Sequence, residues 1–165
     1  LVFTGHFHAQ DITLKAFDTP RRVIYDIETG SLVTAPCPYR RVTIGTNQKA
    51  VIESHFIAAI PSHPDDFTTY AADYVYNGTI QLADAKLTEY KVSEPDRIKF
   101  NPQVARAYVT HLRGDEPKRI VIDTDGVGLW AKFVMFKQKD LLYGWTTDLP
   151  PADNRLTIDL AAGAE

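Results

Sequence analysis

The chain changes period once. Up to about residue 60 apolar and polar residues alternate, whereas after Pro61-Ser62-His63-Pro64 the apolar residues recur at three- and four-residue steps. A period of two lines one face of a strand, and a period near 3.6 draws a stripe along a helix. Strands, then helices, then one closing strand fit an α+β fold. The expected organisation is a strand region at 1–60 and a mostly helical extension at 61–165 that ends in a strand.

Within the first segment, residues 11–17 alternate, with Ile12, Leu14 and Ala16 on one face. Asp18-Thr19-Pro20 is turn chemistry and leads into a second strand at 23–27, which Glu28-Thr29-Gly30-Ser31 breaks. Pro36-Cys37-Pro38 enforces an extended or turning connection because proline donates no ladder hydrogen bond. Residues 40–44 and 49–57 read as a hairpin closed by Gly45-Thr46-Asn47-Gln48.

In the second segment Ser62 is the expected N-cap of a helix, with Asp65 and Asp66 near its positive end. Phe67, Tyr70, Ala71, Tyr74 and Val75 make its stripe. The helix either ends at Asn77-Gly78 or runs on, with a flaw, to about Tyr90. Asn101-Pro102 opens a second helix with Val104, Ala105, Tyr108, Val109 and Leu112 on one side and Gly114 as C-cap. A third helix covers Val127 to about Lys139, 149–154 is a loop, 156–160 is the closing strand, and the tail at 161–165 frays.

Composition narrows the class. Of 165 residues 44% are hydrophobic and 24% charged, which suits a soluble globular chain, and the net charge of −3 lacks the basic excess that nucleic-acid binding leaves. No apolar run is long enough to span a membrane. The chain begins without a signal-peptide pattern and reads as starting at a cut. Cys37 stands alone, so no internal disulfide forms, and localisation is not readable from it.

The chemistry sits at the start. Gly5-His6-Phe7-His8 follows an apolar run, and if the run stays extended its two imidazoles share one face about 6 to 7 Å apart. That spacing suits two divalent ions about 3.5–4 Å apart, one histidine to each. Gly5 would let the backbone approach an ion or substrate closely. Taken alone, two histidines at i and i+2 are more often ordinary half-exposed strand residues than ligands.

An apolar strand running into Gly-His-X-His resembles the last metal-binding motif of the calcineurin-like metallophosphoesterases. A hairpin followed by a Gly-Ser step, here Gly30-Ser31, has that family's layout, and the resemblance covers residues 1–60. It implies the C-terminal strands of a metallophosphoesterase β-sandwich, with His6 binding one metal of a dinuclear site and His8 the other. It also implies two divalent ions (Mn, Fe or Zn), a phosphate mono- or diester as substrate, and partner ligands in an N-terminal part of the same protein. Those upstream motifs are Asp-X-His, Gly-Asp, Gly-Asn-His and a further histidine, none of which follows Leu1. The chain is thus expected to be a hydrolase fragment, inactive alone, with no catalytic acid of its own to assign. The competing expectation is a noncatalytic accessory or binding domain in which the histidine pair is incidental.

Other residues carry weaker signals. Asp11 and Gln10 are either acceptors for an imidazole N–H or turn and surface groups. His55, His63 and His111 read as structural or solvated. Tyr70, Tyr74, Tyr76, Tyr90, Tyr108, Trp130, Tyr143 and Trp145 either line a substrate cleft or partner surface or, as is usual at helical spacing, belong to the core. Asp123-Thr124-Asp125-Gly126 lacks the closing glutamate of a calcium loop and reads as a turn. Arg21-Arg22 and Arg40-Arg41 are phosphate holders or protective strand-edge charges.

Overall fold

A computed structural model describes residues 1–18, 21–116 and 120–161, with the backbone alone at Arg21. The architecture is α+β, with two three-stranded sheets and four helices among these residues. The first sheet contains β1 (Val2–Thr4), β2 (Asp11–Asp18) and β3 (Arg21–Glu28) in the order β1-β3-β2. β3 is the centre: β2 runs antiparallel to it with Ile12 opposite Ile27, and β1 runs parallel to it with Thr4 opposite Glu28. The second sheet has β4 (Pro38–Ile44), β5 (Lys49–Phe56) and β6 (Arg155–Asp159) in that order, both pairs antiparallel. At the β4–β5 turn Gly45 N–H donates to the Lys49 carbonyl at 2.9 Å and Gln48 takes φ 59°.

Four helices lie between β5 and β6: α1 (Phe67–Glu89), α2 (Glu94–His111), α3 (Leu129–Lys137) and α4 (Lys139–Trp145). Helix α1 continues through Gly78 and starts one residue after Asp66, so Ser62 is not its cap. The stripe expected on α1 is displaced: Tyr70 and Tyr74 are exposed, and the buried residues are Phe67, Thr79 and Leu87. Helix α2 begins at Glu94, seven residues before Asn101, because extended Ser93 precedes Glu94, Pro95 and Asp96, a suitable first turn. Pro102 therefore sits inside α2. The single third helix expected is two helices meeting at Gln138, and residues 120–122 form no strand. The turn residues Thr19 and Pro20, Arg21's side chain, Pro117 and the tail beyond Ala161 lie outside what is described.

Two cores result. Ile12, Ile27, Ala50, Ile52 and Ile158 form one, drawing on both sheets, so the two sheets share a buried contact. Leu87, Val92, Phe100, Val127, Ala131, Val134, Met135 and Leu142 form the helical one. Arg40 joins the sheets at their common end. Its guanidinium donates to the carbonyls of Glu28 (2.7 Å), Asp153 (2.6 Å) and Asp11 (3.3 Å), so it ties β3, the approach to β6 and the start of β2 together. Burial pulls its pKa down, opposed by Asp153, Asp11, Asp115 and Glu28. Its neighbour Arg41 pairs with Glu53 at 2.6 Å. The pair therefore divides into a half-buried strut and a surface charge. Among the described residues no helix is long and apolar enough to cross a membrane.

Candidate metal loop

The sheet order dictates the shape of the histidine loop. β1 and β2 flank β3 on opposite edges and run in opposite directions, so the chain leaving Thr4 must pass over the end of β3 and reverse before Asp11. The extended run expected for 5–8 is therefore not formed. His6 has φ 104° and His8 φ 66°, both in the left-handed region that non-glycine residues adopt at a cost. The shared-face argument from strand alternation does not hold for His6 and His8. What places them is the crossing itself, at the carboxyl ends of two parallel strands.

Backbone capture holds this strained loop. Thr29 N–H donates to the Thr4 carbonyl at 3.0 Å, which extends the β1–β3 pairing into the loop, and Phe7 N–H donates to Glu28 Oε1 at 2.8 Å. Gln10, 1% exposed, is the anchor. Its Oε1 accepts from Gly30 N–H at 2.8 Å, its Nε2 donates to Ser54 Oγ at 2.7 Å, and its N–H donates to the Leu112 carbonyl at 3.2 Å. Gln10 is a scaffold residue here, not an acceptor for an imidazole. Asp11 enters the network through its carbonyl.

Glycine matters at position 30 rather than at position 5. A Cβ on Gly30 would lie 2.8 Å from the His8 carbonyl oxygen and 2.8 Å from Pro38 Cγ, whereas one on Gly5 would meet only the Thr29 carbonyl, at an ordinary 3.5 Å. Gly30 is also not in the left-handed region, so close approach, not turn conformation, requires it. Ser31 builds the following turn: Val33 N–H donates to its Oγ at 3.2 Å and Thr34 N–H to its carbonyl at 3.1 Å. The Thr34 hydroxyl then lies 2.9 Å from His8 Nδ1. His6 is exposed and His8 half-buried. Phe7 between them lines an apolar groove of about 510 Å³ with Leu82, Leu87, Tyr108 and Trp145.

The other histidines are packed or paired. His55 stacks on Tyr39, His63 stacks on Tyr70 at 4.0 Å and reaches Asp66 at 3.1 Å, and His111 Nδ1 meets Glu116 at 2.9 Å. Asp123 caps a turn by accepting from Asp125 N–H at 2.8 Å, with Gly126 at φ 71°. Of the aromatic set, Tyr108 and Trp145 pack together at 5.1 Å, while Trp130 is exposed.

A carboxylate cluster was not anticipated. Asp115, Asp148 and Asp153 each place a carboxylate oxygen within 4.8 Å of the others. Asp153 Oδ1 accepts from Ile12 N–H (2.8 Å) and Oδ2 from Asp115 N–H (2.9 Å), while Asp115 accepts from the N–H groups of Asp153 (2.7 Å) and Asn154 (3.1 Å). This reciprocal clasp fastens the end of α2 to β2 and to the entry of β6. Burial pushes the Asp153 carboxyl up to about 7, against the opposing pull of its two backbone donors. Burial also raises Asp148, helped by Asp115 and Glu116. Gly114, at φ 69°, is obligatory beside the clasp, since a Cβ there would run into the Gln10 carbonyl and Asp153. No family model matches the chain, and no curated protein matches it either.

His6 and His8 supply the donor type of a metal site but not a complete ligand set. Imidazole nitrogen is a donor type suited to Mn, Fe or Zn, and Gly30 and Thr34 hold His8 in place. No carboxylate completes a group of three with them among the described residues.

Proposed function

We propose that the chain is the C-terminal, ligand-bearing part of a metal-dependent phosphoesterase of the calcineurin-like kind, acting on a phosphate mono- or diester. The observation that carries this reading is the placement of Gly5-His6-Phe7-His8 at the carboxyl ends of parallel β1 and β3, with the His8 backbone seated on Gly30. His6 and His8 would each hold one of two divalent ions through an imidazole nitrogen, and those ions would supply Lewis acidity toward the phosphate ester. The residues of this chain hold and orient: Glu28 pins the Phe7 amide, Gln10 pins Gly30, and Thr34 pins His8.

On this reading the two sheets are the C-terminal strands of the family's β-sandwich, and the remaining ligands come from an N-terminal part of the same protein. β1 supports it. One edge of this strand pairs with β3, and Val2 and Phe3 remain about half exposed at 46% and 53%, as expected of a strand that another layer covers. Two histidines leave each ion short of ligands, so the chain alone is expected to hydrolyse neither an aryl phosphate nor a bis-aryl phosphodiester with manganese or zinc. Robust turnover lost in His8→Ala would overturn the incomplete-site account.

A noncatalytic module is the second reading, favoured by the Thr34–His8 hydrogen bond, which also suits a purely structural histidine. The sequence preceding Leu1 in the full-length protein separates the two. Asp-X-His, Gly-Asp and Gly-Asn-His in that order are expected for the enzyme, and their absence counts for the module.

A further inference from the structure

Thr34 stands where a partner for a metal-binding histidine belongs. Its backbone is held on both sides, by its own N–H on the Ser31 carbonyl at 3.1 Å and by Cys37 N–H on its carbonyl at 2.8 Å. The turn therefore fixes where its side chain starts, and the rotamer it adopts brings the hydroxyl to His8. The 2.9 Å contact to His8 Nδ1 has two polarities. If the hydroxyl accepts, Nδ1 carries the proton and the Nε2 lone pair is free; if it donates, Nε2 carries the proton and binds no ion. Which ring nitrogen is protonated follows from the hydrogen bond the other makes.

We infer that Thr34 is a positioning residue that accepts the Nδ1 proton of His8 and presets Nε2 as the ligating atom, an inference that rests on the reading of His8 as a ligand. The 2.9 Å contact to Thr34 holds the ring against rotation. The hydroxyl touches neither metal nor substrate, and its effect passes entirely through the imidazole.

The tautomer is read on the 165-residue chain, and zinc affinity on the full-length protein, in which the upstream ligands are present. Imidazole ¹⁵N spectra of the metal-free chain, at a pH where His8 is neutral, should show Nδ1 protonated in the wild type, a mixed or reversed tautomer in Thr34→Val, and the wild-type tautomer in Thr34→Ser. Zinc affinity of the full-length protein should be about 10- to 100-fold weaker in Thr34→Val and near wild type in Thr34→Ser. An Nε2-protonated His8 in the wild type, or a Thr34→Val chain with unchanged tautomer and zinc affinity, overturns the inference. The two failures are distinguishable. If His8→Ala weakens zinc binding and Thr34→Val does not, the positioning role alone falls; if His8→Ala binds zinc as the wild type does, the ligand reading falls and the inference with it.

Discussion

At the scale of single residues the loop is governed by close approaches that leave little trace in a linear pattern. Gly30 is the clearest: substitution by alanine forces its Cβ against the His8 carbonyl and Pro38, and we expect Gly30→Ala to cost about 1–3 kcal/mol, read as a lowered urea midpoint. Asp153 makes a pH-dependent counterpart. In the folded chain its carboxyl keeps a proton up to about 7, whereas an unfolded aspartate releases it near about 3.9. The folded state therefore binds more protons in that window, so this group's contribution to stability falls as pH rises from about 4 to about 7 and is level above. Asp153→Asn should flatten that fall, leaving the part due to Asp148, and should lower stability by about 1–3 kcal/mol because its amide cannot accept from Asp115 N–H. Urea unfolding of both chains at a series of pH values reads both effects. The Gly-His-X-His motif was legible from residue type, but its conformation was not, since the strain at His6 and His8 comes from crossing β3, whose pairing partners are distant in sequence. Thr34 and Glu28 gave no signal beyond lying in the Gly30-Ser31 turn region.

At the scale of elements, alternation was a good guide where a strand has one covered face. β2, β3, the β4–β5 hairpin and β6 fall close to where the pattern puts them. The helices were less legible. Pro102 looks like a helix start, yet the capping signals at Ser93, Glu94, Pro95 and Asp96 start α2 earlier, and Phe100, wholly buried, lies in the stretch that was overlooked. The α3–α4 break at Gln138 has no glycine or proline to announce it. On α1, the aromatic positions Tyr70 and Tyr74 carry apolar weight but face outward, while Phe67, Thr79 and Leu87 pack inward. Gly78 offers a clean test of the continuous helix. A Cβ there meets nothing within 4 Å, so Gly78→Ala should stabilise the chain by about 0.8–1 kcal/mol and raise its melting temperature. An unchanged or lower value would argue against an uninterrupted α1.

At the scale of the molecule, the helices are an excursion between adjacent antiparallel strands. β5 leaves the second sheet, α1 to α4 follow, and β6 returns to pair with β5 through Ala50 opposite Ile158. Arg40, Gln10 and the Asp115–Asp153 clasp meet at the mouth of that excursion, which is why the histidine loop and the helical segment share supports. This convergence is a long-range property, with Ile12 and Asp153 separated by 141 positions, and no local pattern encodes it. Arg40→Ala should therefore destabilise both sheets together, by about 3 kcal/mol or more, in one cooperative transition seen by circular dichroism and by Trp fluorescence alike.

The metal content of the purified full-length protein tests the proposal that His6 and His8 are metal ligands of a phosphoesterase completed by upstream sequence. Two divalent ions per chain are predicted for the wild type, with at least one lost, together with phosphate-ester hydrolysis, in His6→Ala and in His8→Ala. Metal content and turnover unchanged by both substitutions would contradict it.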